Sequence, residues 1–198
     1  MARVLVLLAC PPDLDDRVLR ECRLLVDEGH EVLLLAWDRG GHGEPDGNLS
    51  GVRVKRFLRR SRAGSGLVQL GGFRAFWRWA AREGAGFSPH LIHANDLDTL
   101  PAAVRIKRAT GAKLLYDSHE DYPEAAAERW GRWARAPMAV LEGRFLKKVD
   151  FTITVTPPIA DDLRRRGATG VDVICNAKDP LTGVADPALR ERIAPNGG

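Results

Sequence analysis

Residues 113–124 hold the densest group of side chains capable of acid/base chemistry. An apolar run there gives way to a polar segment with four such residues: Asp117, His119, Glu120 and Asp121. A short apolar run followed by polar residues and a proline predicts a buried strand that ends in a loop. A histidine among carboxylates can exchange protons or donate hydrogen bonds near neutral pH. We therefore predict a functional site where this strand ends, with His119 as its main residue.

A second predicted strand, residues 91–94, ends in a similar way. It is followed by Asn95 and Asp96, and Asp98 comes two positions later. In open α/β sheets, ligands bind at the carboxyl ends of the strands. We therefore expect Asp96 and Asp98 to line the same site, although Asp98 with Thr99 also fits the N-cap of the next helix.

The elements that must position these residues alternate between short apolar runs and amphipathic ones. This alternation predicts an α/β fold: a doubly wound, mostly parallel, seven-stranded Rossmann-like sheet with helices on both faces. The predicted strands are 4–8, 32–37, 52–57, 91–94, 113–116, 151–155 and 171–175. The predicted helices are 16–28, 73–82, 99–110, 125–148 and 158–166, with Pro137 breaking the fourth or starting its second half.

Composition is that of an ordinary globular protein. The chain has 198 residues, of which 44% are hydrophobic, and no apolar run is long enough to predict a membrane span. We expect one domain over residues 1–179 and a linker over 180–198 that leads toward an absent carboxy-terminal domain. Three cysteines without a CxxC spacing argue against a disulfide framework and a zinc site, and indicate the reducing cytoplasm.

Positive charge is concentrated between residues 47 and 82, where nine basic residues occur without one acidic residue. Such a block attracts phosphates or an anionic membrane surface. The residues that we predict to bind them are Arg56, Arg59, Arg60 and Arg62. An apolar stripe within 73–82 has two interpretations, core packing or membrane docking. No nucleic-acid-binding module accompanies the charge, so we expect no nucleic acid partner.

Five segments, in their order and spacing, resemble the amino-terminal half of GT-B-fold glycosyltransferases, in particular the family-4-like group of retaining enzymes. The resemblance extends from the first strand to about Asp179. The segments are 15–21 (Asp-Asp-Arg-Val-Leu-Arg-Glu), 27–32 (Asp-Glu-Gly-His-Glu-Val), 93–101 (His-Ala-Asn-Asp-Leu-Asp-Thr-Leu-Pro), 116–120 (Tyr-Asp-Ser-His-Glu) and 174–177 (Ile-Cys-Asn-Ala).

This resemblance implies a two-domain enzyme in which the amino-terminal half binds the acceptor and the carboxy-terminal half binds a nucleotide-sugar donor. It implies that His119 contacts the transferred sugar, and it implies neither a cofactor nor a metal. We expect Asp96, Asp98, Glu120 and Arg17 on the acceptor side. Three of these residues could instead have purely structural roles. His119 would then bond a neighbouring loop, Glu120 would cap its loop, and Arg17 would form an ion pair with Glu21.

The predicted function is thus transfer of a sugar, with retention, from a nucleotide-sugar to an acceptor hydroxyl. The expected acceptors include lipid-linked ones. The expected location is the cytoplasm, with docking on the inner face of the membrane as an option. Half of a cleft cannot hold both substrates, so this chain alone is expected to be inactive. The alternatives are another GT-B enzyme, such as a nucleotide-sugar epimerase, and a non-catalytic module that docks on phosphates or membranes.

Overall fold

The computed structural model describes residues 1–41, 43–61 and 67–175, so Arg62 and the predicted linker 180–198 lie outside it. Strands and helices alternate along the chain. The strands are β1 Arg3–Leu8, β2 Glu31–Asp38, β3 Asp46–Leu49, β4 Val52–Leu58, β5 Leu91–Asn95, β6 Lys113–Ser118, β7 Phe151–Thr154 and β8 Val171–Val173. The helices are α1 Asp16–Asp27, α2 Leu67–Phe87, α3 Leu100–Thr110, α4 Tyr122–Trp130, α5 Arg135–Leu146 and α6 Pro157–Arg165. Within the described residues, no helix has the length and apolar character that crossing a bilayer requires.

The strands form one sheet in the order β3-β4-β2-β1-β5-β6-β7-β8. All of them run parallel except β3, which pairs antiparallel with β4 at the edge. The predicted α/β sheet is confirmed, but the count of seven strands was wrong, because eight occur in the described residues. Strand β3 escaped prediction since its sequence, Asp-Gly-Asn-Leu, has no apolar alternation and is mostly exposed.

The strand order reverses its direction between β1 and β5. From β1 the chain winds outward through β2 to β4, and it then returns to the other side of β1 and continues from β5 to β8. The loops after β1 and β5 therefore leave the sheet in opposite directions, and a crevice opens between them. In doubly wound sheets this crevice, at the carboxyl ends of the strands, is the usual place for a ligand.

Side chains of the central strands alternate between two apolar layers. In β1, Leu5 and Leu7 join the larger layer, while Val4, Val6 and Leu8 join the layer beneath α1. Helices α2 and α3 pack on the larger layer and on each other. Because helices cover both faces, these parallel strands are continuously apolar.

The helical region after β6 is interrupted at Gly131, so Pro137 does not break it, but the alternative prediction, that Pro137 starts the second half, agrees with its place in the first turn of α5. Gly131 has a φ of 100°, in the left-handed region that favours glycine, and it separates α4 from a short 3-10 turn and α5. Pro137 lies in the first turn of α5, where the helix needs no backbone donor. The helix can therefore start before this proline without a lost hydrogen bond.

The aromatic stripe of α2 faces the core, which confirms the packing interpretation of residues 73–82. Phe76 is fully buried and stacks on Trp37 with ring centroids 5.6 Å apart. Phe73 packs edge-on against the same indole at 5.1 Å. The indole nitrogen of Trp77 donates to the carbonyl of Asp98 at 2.6 Å, so this helix also fixes the loop after β5.

Two glycines of α2 predict opposite effects of the same substitution. A Cβ on Gly84 would lie 2.6 Å from Ile106 Cδ1 and 2.7 Å from Leu5 Cδ2, whereas one on Gly71 would meet nothing within 4 Å. Gly84→Ala should destabilise the protein by about 1–2 kcal/mol, since overpacking exceeds the gain in helix propensity. Gly71→Ala should instead stabilise it by up to about 1 kcal/mol. Urea unfolding of both variants measures this, and a stabilised Gly84→Ala protein would contradict the packing.

Candidate functional site

Three loops bring the predicted site residues together at the reversal of the sheet. The loop after β1 leads into α1, whose N-cap Asp15 accepts a hydrogen bond from the amide of Val18 at 3.1 Å. This cap fixes the first turn of α1 and thereby Arg17. The loops after β5 and β6 carry Asp96 and His119, and they are tied by the amide of Asp96, which donates to the carbonyl of Asp117 at 3.0 Å.

His119 lies between carboxylates from two neighbouring loops. Its Nε2 is 2.7 Å from Asp117 Oδ1, and its Nδ1 is 3.3 Å from Asp96 Oδ1. The side chain is 15% exposed, so one part of the ring still faces the crevice. Burial disfavours a charged ring, but Asp117 and then Asp96 outweigh it and raise the pKa of His119 to about 9.

Arg17 completes this cluster from α1. Its Nη2 is 2.8 Å from His119 Nδ1 and 3.5 Å from Asp117 Oδ2, and its Nε is 3.8 Å from Glu21 Oε1. The ordinary ion pair with Glu21 and the contacts with the site therefore occur together. Because a guanidinium can only donate, the contact with Arg17 requires the form of the ring in which Nδ1 is unprotonated, whereas a protonated Nδ1 can donate only to Asp96, 3.3 Å away. The excess of carboxylates favours the protonated form, in agreement with the raised pKa.

Asp117 is the buried centre of the cluster. Its side chain is only 3% exposed, and its Oδ2 is 3.4 Å from His93 Nε2. Burial would raise the pKa of Asp117, but the contacts with His119 and His93 hold it well below its ordinary value. The carboxylate therefore stays ionised across the physiological pH range. His93 itself is a nearly buried, bonded histidine.

Glu21, His93 and Asp117 have a spacing that a metal ion could bridge, with one ligand atom from each lying within 4.8 Å of the others. Arg17, however, already supplies positive charge to both carboxylates. Burial raises the pKa of Glu21, in part offset by His93 and Arg17. Because Arg17 already balances the charge of both carboxylates, we continue to predict that no metal binds here.

The loop after β5 is held in a conformation that few residues adopt. Asp96 has a φ of 67°, in the left-handed region, where Asp and Asn are the most tolerated residues after glycine. Backbone strain of this kind concentrates at functional sites. It turns the chain so that the Asp96 carboxylate reaches His119, on the adjacent loop.

Asp98 does not cap α3, in contrast to the alternative that its position suggested. The N-cap is Thr99, whose hydroxyl donates to the carbonyls of Asn95 and Asp96 at 2.8 and 3.0 Å. The Asp98 carboxylate pairs instead with Arg39 at 3.4 Å. Desolvation of the carboxylate is the main cause that raises the pKa of Asp98 to about 7, and the nearby negative charge of Asp96 is the second. Asp98 thus lies in the crevice, where it can bind a ligand.

The other predicted residues take different positions. Glu120 is exposed, and its carboxylate makes no ion pair or hydrogen bond with any described residue, so it neither orients His119 nor caps the loop. The Arg56 side chain is only 8% exposed, its Nη1 donates to the carbonyl of Glu44 at 3.2 Å, and its Nη2 lies 3.8 Å from Asp13 Oδ2. Arg59 and Arg60 are exposed on the surface.

A second polar network anchors β6 from the opposite face of the sheet. The hydroxyl of Tyr116 donates to Glu142 Oε1 at 2.9 Å, and Arg166 Nη1 lies 3.1 Å from Glu142 Oε2. Arg166 also reaches to within 3.6 Å of Asp121, which precedes α4. The strand that carries Asp117 and the loop that carries His119 are therefore fixed on both sides.

Asp117 is the site residue whose importance the sequence did not reveal. The predicted strand ended at Tyr116, which left Asp117 in a loop, whereas β6 runs to Ser118 and buries it. The sequence signal that could have revealed it is the alternation of side chains between the two faces of β6. Leu114 and Tyr116 face one layer, so Asp117 must face the other, beneath α1, where a carboxylate requires a cation.

Comparison with known proteins shows the family to which this chain belongs. Residues 15–177 match the family of glycosyl transferase 4-like domains, and the chain belongs to that family. Among curated protein sequences, no match is found. The resemblance that the ordered motifs indicated is thus confirmed.

Solved structures share the fold at low sequence identity. Sucrose-phosphate synthase from Thermosynechococcus elongatus aligns with a TM-score of 0.71 at 14% identity, over 98% of this chain and 52% of that one. Anabaena HepE, solved with UDP-glucose, aligns with a TM-score of 0.60 at 15% identity, over 98% and 49%. A protein described as a UDP-N-acetylglucosamine 2-epimerase from Listeria monocytogenes gives 0.58 at 11%, over 86% and 44%. The chain spans about half the length of these structures, and its GT-B, Rossmann-like fold is shown.

The contacts of His119 predict a titration that depends on Asp96. We expect the pKa of His119 to lie near 9 in the wild type and to fall by about 1 in Asp96→Asn, because one of its two anionic neighbours becomes neutral. Glu120→Gln, which removes an adjacent carboxylate without a contact to the ring, should leave this pKa unchanged. NMR titration of the ring protons measures both, and equal shifts in the two variants would contradict the assignment.

The raised pKa of His119 also predicts a loss of stability in alkali. The folded protein binds this proton more tightly than the unfolded chain, whose histidines titrate near about 6.5. The resulting stabilisation, on the order of 3 kcal/mol, is fully present below about pH 6.5 and disappears as the pH rises through about 9. In urea unfolding, His119→Gln should therefore cost more stability at about pH 6 than at about pH 10. An equal cost at both pH values would indicate an ordinary histidine.

Proposed function

We propose that this chain is the acceptor-binding half of a retaining glycosyltransferase that uses a nucleotide-sugar donor. The observation that carries the proposal is the cluster of Arg17, Asp96, Asp117 and His119, which lies at the reversal of the sheet in a chain of this family. The donor would be held mainly by a second, carboxy-terminal domain facing this crevice. HepE, a structural neighbour, has been solved with UDP-glucose, which supports a nucleotide-sugar as donor.

The proposed role of His119 follows from its protonation. A histidine whose pKa is near 9 carries its proton at neutral pH, so it is a weak general base. The protonated ring has two N–H donors: Nε2 is held by Asp117 at 2.7 Å, whereas the contact of Nδ1 with Asp96 is longer, at 3.3 Å, so a sugar hydroxyl would replace Asp96 as the acceptor of the Nδ1 proton. We assign His119 to binding a hydroxyl of the transferred sugar, with Asp117 as the residue that positions the ring.

Asp96 and Asp98 would bind hydroxyl groups of the acceptor. Both are partly exposed carboxylates on the crevice, and Asp98 pairs with Arg39. An ionised carboxylate accepts hydrogen bonds, and Asp98, with its pKa raised to about 7, also donates one when it is protonated, so the pair suits polyhydroxylated acceptors. Glu120, exposed on the next loop, is assigned to the same surface, and Arg17 supplies the balancing charge. For a phosphate of either substrate we propose Arg56, which lies 3.8 Å from Asp13 in the loop after β1.

The principal test compares His119→Ala with the wild type in a protein that contains both halves. This chain, fused to or mixed with a carboxy-terminal donor-binding domain, should transfer sugar, and the chain alone should not. We expect His119→Ala to lower kcat at least about 100-fold, because a hydrogen bond to the reacting sugar is lost. His90→Gln, a change at the amino-terminal end of the sheet, is the matched control. Unchanged turnover in His119→Ala would refute the assignment.

One structural neighbour favours an epimerase as the second candidate. An epimerase acts on the nucleotide-sugar itself, so nucleotide release would not depend on an added alcohol. Release of nucleotide only with an acceptor present supports a transferase. Analysis of the product's anomeric configuration then tests retention. Docking of the enzyme on the inner face of the membrane, where lipid-linked acceptors occur, is part of the proposal.

A further inference from the structure

Helix α5 carries apolar side chains on both of its faces. Leu146 is buried against the sheet, as expected for a helix in this layer. Yet Val140 is 55% and Leu141 43% exposed on the opposite side. A surface helix of a globular domain normally has a polar outer face, and a helix that is apolar all round is covered by something.

Tryptophans extend this apolar surface toward α4. Trp133, in the 3-10 turn before α5, is 75% exposed, and Trp130, at the end of α4, is 53% exposed. Positions 133, 137, 140 and 141 recur at helical spacing, so they form one stripe. We call this surface the α4–α5 face and define it by the following residues: Trp130, Trp133, Pro137, Val140 and Leu141.

Basic residues surround the α4–α5 face. Across α4 and α5, residues 122–148, the sequence has six basic residues and three acids: Glu128 is exposed, Glu124 pairs with Arg135, and the third acid is Glu142. That acid is fully buried and paired with Arg166, so it contributes no negative charge to the surface. The six residues are Arg129, Arg132, Arg135, Arg144, Lys147 and Lys148.

We propose that the α4–α5 face docks on an anionic lipid bilayer. Tryptophan is the residue that favours the membrane interface, and basic residues beside it attract anionic headgroups by about 1 kcal/mol each. A surface helix with apolar residues toward the lipid and cations at its margins is the usual form of such an anchor. This charge complementarity favours a lipid surface as the partner. The proposal does not depend on sugar transfer, and it places the docking surface away from residues 53–82.

A cavity beside the α4–α5 face suits a lipid headgroup. It has a volume of about 560 Å³ between α4, α5 and α6, and Arg132 and Arg135 lie in its wall. Two of the acids in that wall, Glu124 and Asp162, are each paired with an arginine. Arg132 makes no ion pair with a described residue and remains available for a phosphate.

The α4–α5 face is connected to the functional site through helix α4. Helix α4 begins at Tyr122, three residues after His119. A protein held at the bilayer through α4 and α5 would therefore keep its crevice close to the membrane. If the proposed function holds, this geometry favours acceptors whose hydroxyl lies at the lipid surface.

Vesicle flotation of this chain tests the proposal with matched variants. The wild type should float with vesicles of phosphatidylcholine and phosphatidylglycerol but not with phosphatidylcholine alone, and added salt should weaken binding. The double variant Trp130→Ala/Trp133→Ala and the double variant Arg132→Glu/Arg144→Glu should each bind at least about tenfold more weakly. Arg59→Glu/Arg60→Glu, with the same change of charge in the other basic segment, should bind as the wild type does.

Three results would overturn the proposal. The first is absence of flotation with anionic vesicles, and the second is loss of binding in the Arg59/Arg60 variant but not in the variants of the α4–α5 face. The third is a dimer, seen by light scattering, that dissociates when both tryptophans are replaced, because a second copy would then cover the face. All substituted side chains are exposed, and circular dichroism verifies that each variant is folded before its binding is compared.

Discussion

A single buried charge organises the crevice of this protein. The Asp117 carboxylate is nearly inaccessible to water, and an ion in that position is costly unless cations and hydrogen-bond donors surround it. His119 meets this requirement from the loop after β6, His93 from β5 and Arg17 from α1. The need to compensate one carboxylate therefore joins three otherwise separate elements. The orientation of His119, and with it the proposed contact with the sugar, is a consequence of this compensation.

The topology makes this arrangement available, and the local backbone completes it. Reversal of the strand order at β1 places the start of α1 beside the ends of β5 and β6. Strain at Asp96 then brings a second carboxylate to the ring. These features raise the pKa of His119 together, so the protonated ring is a property of the fold as well as of the residue. A histidine on an isolated loop would titrate near its ordinary value.

Much of the fold was predictable from the sequence, because continuous apolar strands and helix-ending glycines are local signals. Gly111 ends α3 with a φ of 74°, directly after the predicted end of that helix at residue 110. Strand β3 was not predictable, since antiparallel pairing with β4 stabilises it although its own sequence is polar. The helix break at Gly131 was hidden by the stronger signal of Pro137. In the site, His119 and Asp96 followed from their places at strand ends. The importance of Asp117 did not, because it depends on which face of β6 is covered by α1.

The pairing of Arg17 with His119 has a consequence for how the protein folds. The two residues are 102 positions apart, and the contact exists only after the first βαβ unit has docked against β5 and β6. Contacts of such long sequence separation are slow to form, since the intervening chain must first lose its freedom. The layer beneath α1, which β1, β2 and β4 supply, can be buried beforehand. Partly folded chains would thus possess much of the hydrophobic core yet lack the assembled site, so compactness alone is a poor indicator of a functional molecule.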